Sequence, residues 1–90
     1  MNDILRLEAD GNYTFIYLKN GNKLYTSKTL KVFENLLPPT RFYRPHQSHI
    51  INTLSMSKYV KNDGGYILMS DGAQIPIARS KRKDFTDRFY

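Results

Sequence analysis

The chain has 90 residues, no cysteine and 40% hydrophobic residues, with seven tyrosines and five phenylalanines. We expect a single domain over residues 1–90, since a chain of this length forms one modest core. The absence of cysteine excludes a disulfide framework and thiolate metal sites, and it fits a reducing compartment, the cytoplasm. No secretory signal is visible, and no apolar stretch approaches the ~18 residues of a membrane span.

The positive charge is concentrated in the second half of the chain, within a formal net charge of +6. Residues 1–39 carry five Lys/Arg and four Asp/Glu, whereas residues 40–90 carry nine and four, a balance of +1 against +5. A basic half of this kind indicates a polyanionic partner, either nucleic acid or an acidic membrane surface.

The first 27 residues predict strands joined by turns. Apolar residues in the opening segment lead to a turn signal at 10–12, and the β-branched and aromatic run 13–18 is typical of a strand. Asn20-Gly21 then favours a hairpin turn, because both residue types tolerate a positive φ. Residues 23–27 alternate in polarity and close this hairpin.

A helical period follows the hairpin. Apolar side chains recur at i, i+3, i+6 and i+7, and they are Leu30, Phe33, Leu36 and Leu37. This spacing predicts an amphipathic helix with the first three of them toward the core. Ser27 or Thr29 is placed to cap its start. The proline pair at 38–39 ends it, because proline lacks the backbone N–H.

The second half of the chain predicts a further hairpin. A turn of helix over 53–57 is capped by Asn52 or Thr53. Strands at 58–61 and 66–69 then flank a glycine-rich turn.

The C-terminal segment predicts an edge strand and a second helix. Residues 74–77 form a strand that Pro76 confines to a sheet edge. Ser80 then caps a final helix, in which Phe85 and Phe89 share one face. Short strands separated by turn signals, with two helices, predict a mostly β domain.

Residues 41–52 combine anchors for a core with a polar run. Phe42, Ile50 and Ile51 are suited to burial, so the polar residues 44–49 must reach solvent or a polar partner. Arg, Gln and Ser side chains in such a run bond phosphates and base edges. The alternative is an ordinary polar loop that leads into a buried strand.

His46 and His49 raise the question of a metal site. In an extended segment their side chains point to opposite faces. With no cysteine, and no acidic residue close in sequence, they fall short of the ligands that zinc needs. We therefore expect hydrogen-bonding histidines and no metal. No enzyme is predicted, because the chain has neither GxGxxG nor a P-loop and its serines show no nucleophile elbow.

Four cations lie at the start of the last predicted helix: Arg79, Lys81, Arg82 and Lys83. The helix dipole disfavours positive charge at this end. An anion bound to the backbone N–H groups, the Ser80 hydroxyl and these cations would relieve the conflict. The alternative is a solvated charge run.

The order of residues in three segments resembles the LytTR DNA-binding domain family. Residues 42–52 resemble its central signature of an aromatic residue, an Arg, a His-x-Ser and an aliphatic pair ending in Asn. Residues 4–14 resemble its opening strand and turn, and residues 75–82 resemble its closing strand and the start of its last helix. The three segments occur in the family's order and cover most of the chain.

The resemblance implies a fold of elongated antiparallel β-sheets with two short helices, whose loops face the major groove of double-stranded DNA. It implies the output domain of a bacterial response regulator in a two-component system, acting in transcription regulation without a cofactor. A receiver or membrane sensor segment would precede such a domain in a longer regulator, of which this chain would be a fragment. A second copy would bind a repeated half-site.

The resemblance also implies roles for nine residues. Base-contacting positions fall on three loops and, matched one at a time, they are Asn12, Gln47 and Arg79. The residues expected to contact phosphates are Arg44, His46, Ser48, Ser80, Lys81 and Arg82. The chemistry agrees, because Asn and Gln bond adenine and Arg bonds guanine in two-pronged fashion, whereas a Lys point charge suits phosphate.

Two other classes of function stay open. A basic β-module that binds RNA or single-stranded nucleic acid would stack bases on exposed aromatic side chains. The candidates for such stacking are Tyr13, Tyr17, Tyr43 and Tyr59. A protein or anionic-membrane interaction module would use the same basic surface.

Overall fold

A computed structural model describes residues 3–89, the side chain of Asp63 excepted, as two antiparallel sheets and two short helices. The strands of the first sheet are β1 (Ile4–Asp10), β2 (Tyr13–Leu18), β3 (Lys23–Thr26), β4 (Phe42–His46) and β5 (His49–Asn52), in the spatial order β3-β2-β1-β5-β4. The strands of the second sheet are β6 (Met56–Val60), β7 (Tyr66–Met69) and β8 (Gln74–Pro76), in that order. The helices are α1 (Leu30–Leu36) and α2 (Arg82–Phe89). The prediction of antiparallel sheets with two short helices is confirmed.

Tight turns containing glycine join the first three strands. Asp10 pairs with Tyr13 across the first turn, where Gly11 has a φ of +59°. Gly21 has a φ of +93° in the loop between β2 and β3, and its N–H donates to the Leu18 carbonyl at 3.1 Å. Glycine reaches a positive φ without a steric penalty. The predicted hairpin at Asn20-Gly21 is therefore confirmed.

A two-residue turn also joins β4 to β5, so the stretch 41–52 is a hairpin. His46 pairs with His49 across Gln47 and Ser48, and the two imidazole rings lie 5.5 Å apart between centroids. The prediction that the histidines point to opposite faces is wrong. The chain reverses between them, and directly paired residues of an antiparallel ladder project from the same face.

Both faces of the five-stranded sheet are covered. The cluster on the α1 side consists of Leu7, Ile16, Leu30, Leu37, Phe42 and Ile50. The cluster on the other side, shared with the second sheet and α2, consists of Leu5, Tyr43, Ile51, Ile67, Met69, Ile75, Ile77 and Phe85. Consecutive residues Ile50 and Ile51 enter opposite clusters because side chains alternate across a strand. The expected burial of Phe42, Ile50 and Ile51 is confirmed.

Helix α1 differs from the prediction at its last residue. Leu30 is buried and Phe33 packs against the core, but Leu36 is 59% exposed. Six residues at 3.6 per turn leave Leu36 about 120° from Leu30 around the helix axis. Leu37 is buried instead, because the chain becomes extended there while the Leu37 N–H donates to the Phe33 carbonyl at 2.8 Å.

The expected caps of α1 are present only in part. Thr29 occupies the N-cap position, and its carbonyl accepts from the backbone of Val32, but its side chain makes no capping hydrogen bond. Ser27 lies outside the cap. The helix ends before the proline pair at 38–39, as predicted.

Ser80 does not cap α2, so that prediction is wrong. A 3₁₀ turn, Arg79–Lys81, precedes the helix, and its N-cap is Ala78. The Lys81 N–H donates to the Ala78 carbonyl at 2.8 Å, which places Ser80 inside the helical segment. The shared face of Phe85 and Phe89 is confirmed, with ring centroids 5.1 Å apart.

The predicted turn after β5 is a 3₁₀ turn over Thr53–Ser55. Asn52 caps it: the side-chain oxygen accepts from the Leu54 N–H at 3.0 Å. The Asn52 amide nitrogen donates to the Ile4 carbonyl at 2.9 Å, which ties this turn to β1. Strand β8, with Pro76, lies at an edge of the second sheet, and the hairpin of β6 and β7 is present, as predicted.

Candidate nucleic-acid interface

The turns β1–β2 and β4–β5 lie side by side at one end of the five-stranded sheet. Glu8 pairs with His49, and the Ala9 N–H donates to the Ser48 carbonyl at 2.8 Å. Beyond these contacts each strand pair ends in its two-residue turn. Asn12 and the pair Gln47 and Ser48 therefore project from the same edge of the sheet.

A third loop joins this edge from the second sheet. The Ala78 N–H donates to the Pro45 carbonyl at 2.9 Å, so the chain after β8 runs beside the end of β4. The 3₁₀ turn Arg79–Lys81 follows directly. We call the three loops 11–12, 47–48 and 78–81 together the loop edge.

A surface cavity of about 380 Å³ opens at the loop edge. Its lining residues are Glu34, Arg44, His46, Gln47, Ala78, Ser80 and Lys81. Five of the nine predicted DNA-contacting residues are thus brought together although they come from β4, the following turn and the last loop.

The other four predicted residues do not line the cavity. Asn12 and Arg79 are exposed at the tips of their loops. Ser48 is half-buried, and its carbonyl is used by the Ala9 N–H. The guanidinium of Arg82 lies over the β6–β7 loop. It is so close to Gly64 that a Cβ at this position would lie 2.5 Å from Arg82 Nη2.

Arg44 is held by two groups of the protein itself. Its Nη1 donates to Glu34 Oε1 at 2.8 Å, and its Nη2 donates to the Gln47 carbonyl at 2.6 Å. Within the part of the chain that the structure describes, Arg44 Nε has no hydrogen-bond partner. The second bond fixes the guanidinium against the turn that carries Gln47. Sequence reasoning missed Glu34, because only the packing of α1 on the five-stranded sheet brings it to Arg44.

The two histidines of the hairpin differ in environment. The Ser48 N–H donates to His46 Nδ1 at 3.1 Å, so the neutral ring carries its proton on Nε2, where it can donate to an anion. His49 Nδ1 is buried without a hydrogen-bond partner within the described residues 3–89, and burial lowers the pKa of His49; Glu8 opposes this effect, and His46 and Arg6 add to it. Among the described residues no group of three or more His, Asp or Glu is arranged to hold a metal ion.

Lys28 is a further cation that sequence reasoning did not assign to the interface. Thr14 pairs with Thr26, and its hydroxyl donates to the Lys28 carbonyl at 2.8 Å. Because Thr14 lies next to the first turn, Lys28 is exposed near the end of the sheet that carries Asn12. Drawing the register of the β2–β3 hairpin from its turn would have placed it there.

The aromatic candidates for base stacking are mostly covered. Tyr43 is buried, and Tyr59 packs on Phe85 with ring centroids 5.1 Å apart. The Arg6 guanidinium lies 3.7 Å from the centroid of Tyr17. Tyr13 is exposed, but Tyr25 stacks on it in parallel at 5.0 Å. Among the described residues, Phe15 extends this exposed pair toward Tyr17, with ring centroids 4.5 Å from Tyr25 and 6.3 Å from Tyr17. Across residues 3–89, no helix is long and apolar enough to cross a membrane.

Comparison with known proteins finds the same family that the sequence resembles. The family model described as the LytTr DNA-binding domain matches residues 1–89. The chain is 33% identical over 84 residues to the heme-containing CO-sensing transcriptional regulator RcoM 2 of Paraburkholderia xenovorans, covering 90% of this chain and 31% of that protein. It is 34% identical over 76 residues to the sensory transduction protein LytT of Bacillus subtilis, covering 77% and 30%. It is 31% identical over 85 residues to the transcriptional regulatory protein LytR of Staphylococcus aureus, covering 92% and 34%.

The fold also matches a solved structure. The LytTr DNA-binding domain of a putative methyl-accepting/DNA response regulator from Bacillus cereus superposes with a TM-score of 0.86 at 24% identity, covering 96% of this chain and 80% of that one. The chain spans about a third of the length of the curated relatives it matches. The family match over residues 1–89 and the identities above 30% show that this chain belongs to the LytTr DNA-binding domain family.

Proposed function

We propose that this chain binds double-stranded DNA sequence-specifically, by inserting the loop edge into the major groove. The observation that carries the proposal is the convergence of three loops at one end of the molecule, two of which border a cavity lined by Arg44, His46 and Lys81. Membership of a DNA-binding family makes duplex DNA the polyanion that this edge fits. Loops that project from the strands of a sheet are positioned by that scaffold, and base reading requires side chains held in position.

Asn12, Gln47 and Arg79 are proposed to read bases. All three are exposed, and they lie on three different loops of the edge. An Asn or Gln amide pairs with adenine N6 and N7, and an Arg guanidinium pairs with guanine O6 and N7. Three separate loops would sample separate base pairs along the groove.

The phosphate contacts surround these positions. His46 offers its Nε2–H, and Ser80 and Lys81 line the same cavity. Arg44, Ser48 and Arg82 complete the proposed set. Such contacts fix the register of the protein on the duplex without reading sequence.

We further propose that the domain is the output part of a bacterial response regulator. LytT and LytR are named as signal-transduction and transcriptional regulatory proteins, and each is about three times as long as the matched segment. A receiver or sensor segment would occupy part of the remaining length. A second copy would bind a repeated half-site, which would multiply the affinity of a small interface.

Selection from random duplexes, followed by sequencing, tests the proposal. A recovered motif, bound by the parent far more tightly than random duplex, is expected. The log of the affinity should also fall linearly with log salt, with a slope of roughly −0.9 per phosphate contact. Equal binding of all duplexes, tighter binding of single strands, or affinity that does not respond to salt would overturn it.

A further inference from the structure

One carboxylate lies among the cations of the proposed interface. Glu34, on the outer face of α1, is the single acidic residue lining the cavity at the loop edge in the described part of the chain. Its Oε1 lies 2.8 Å from Arg44 Nη1, and its side chain is 47% exposed. A carboxylate bonded to a guanidinium has the charge and the geometry of a bound phosphate oxygen.

We propose that Glu34 competes with a DNA phosphate for Arg44 and thereby limits the affinity of the domain for any duplex. In the unbound protein the carboxylate occupies Arg44. On binding, a backbone phosphate takes its place and Glu34 turns toward solvent. The inference rests on the proposed function, because it assumes that the loop edge meets a phosphate at Arg44.

The contacts of Arg44 favour competition over a positioning role. The guanidinium is already oriented by its bond to the Gln47 carbonyl at 2.6 Å, which belongs to the backbone of the turn. Glu34 is not needed for that orientation. Left in place, its charge would repel a phosphate approaching Arg44, His46 and Lys81.

Replacing the carboxylate by a phosphate is physically reasonable. An ion pair with a half-exposed partner is weak in water, and a helix-surface Glu has rotamers that point to solvent. The phosphate is one of a row of charged groups along the DNA backbone, and neutralising these groups releases counterions from the DNA. The competition concerns the DNA backbone, so it affects all sequences equally and leaves the base preference unchanged.

The test is the variant Glu34→Gln beside the matched variant Asp87→Asn. Asp87 is exposed on α2, and its substitution changes the net charge by the same amount. Affinity is measured for the selected duplex and for a random duplex. After correction by Asp87→Asn, Glu34→Gln should bind both about three- to tenfold more tightly, with the same ratio between them. Circular dichroism confirms that each variant is folded, and Glu34→Ala provides a second removal of the charge.

A double-mutant cycle identifies Arg44 as the group in competition. Arg44→Gln is made in the parent and in the Glu34→Gln background. It should weaken duplex binding more in the second background, because there no carboxylate has to be displaced. Binding of Glu34→Gln within twofold of Asp87→Asn, or weaker binding, overturns the competition; weaker binding would make Glu34 a positioning residue. A parent that binds no duplex would overturn the proposed function as well, so the two failures are distinct.

Discussion

The loop edge and the aromatic cluster under α2 are built from different interactions. The aromatic cluster, formed by Tyr43, Tyr59, Phe85 and Phe89, is packed ring against ring, and Phe85 is 1% exposed with three ring neighbours at 5.1–5.9 Å. The loop edge carries cations and amides, and backbone hydrogen bonds hold it, such as those from Ala9 and Ala78. Side-chain packing therefore stabilises the aromatic cluster, whereas main-chain hydrogen bonds position the loop edge.

Tyr43 joins the aromatic cluster to the start of α2. Its hydroxyl donates to Asp84 Oδ2 at 2.8 Å. Burial and this hydrogen bond raise the pKa of Tyr43 well above its usual value, so it remains a donor at any physiological pH. The helix that follows the last loop is thus anchored independently of DNA. It follows that substitutions in the two regions should separate cleanly into effects on stability and effects on binding.

The largest expected effect comes from the aromatic cluster. Phe85→Ala should lower the free energy of unfolding by about 3–5 kcal/mol, because it leaves a cavity among buried rings. Phe33→Ala on α1 should cost less, since Phe33 is only partly buried against the other cluster. Chemical denaturation of both variants measures the difference. Equal losses would mean that the two clusters contribute alike and that the aromatic cluster has no special part in stability.

The second-largest effect on stability is expected at Asn52, a buried residue whose side-chain oxygen and nitrogen both form hydrogen bonds. Asn52→Ala removes its bonds to the Ile4 carbonyl and the Leu54 N–H, and should cost about 2–3 kcal/mol. The matched control is Thr53→Val, which removes one bond to the Arg41 carbonyl from a partly exposed site and should cost about 1 kcal/mol or less. Chemical denaturation compares the two variants. A smaller loss for Asn52→Ala than for the control would show that Asn52 is not what ties the 3₁₀ turn to β1.

The third effect should appear in binding and not in stability. Arg79→Ala should cost ~1–3 kcal/mol on the selected site and relax the preference at one base position. Lys81→Ala should weaken selected and random duplex about equally and reduce the salt slope by about one. Both variants should unfold like the parent, since both residues are exposed. If Arg79→Ala weakens the two duplexes by the same factor, base reading rests on Gln47 and Asn12.

Most of the fold could be predicted from the sequence, because the residues that specify a turn or a helix end are neighbours in the chain. Asn20-Gly21 specified its hairpin, and the proline pair at 38–39 ended α1. Errors arose where periodicity had to be extended to a helix end, as at Leu36, or where a 3₁₀ turn moved the helix start past Ser80. A hairpin with the sequence Gln47-Ser48 carries no glycine signal, so the pairing of the histidines could not be predicted.

The candidate site depended on contacts that only packing creates. Resemblance supplied nine residues, but five of them meet in one cavity because β4 and the loop after β8 share a backbone hydrogen bond between Pro45 and Ala78. Glu34 lines the same cavity but comes from α1, which precedes the proline pair at 38–39. No local pattern links residues 34 and 44, and this is why the acid was missed while the cations were found.

The smallest expected effect is on stability, at His49, which directly follows the 47–48 loop of the loop edge. Burial lowers the pKa of His49 in the folded protein, and electrostatic interactions with His46 and Arg6 add to this while Glu8 opposes it. Below a pH of about 6.5 the unfolded chain takes up a proton at this position before the folded protein does, so stability falls as the pH decreases through this range. Chemical denaturation at pH 7.5 and 5.5 measures the loss. His49→Gln should lose less stability than the parent over the same interval, because it has no proton to bind. Equal losses in the two proteins would show that other groups cause the acid sensitivity.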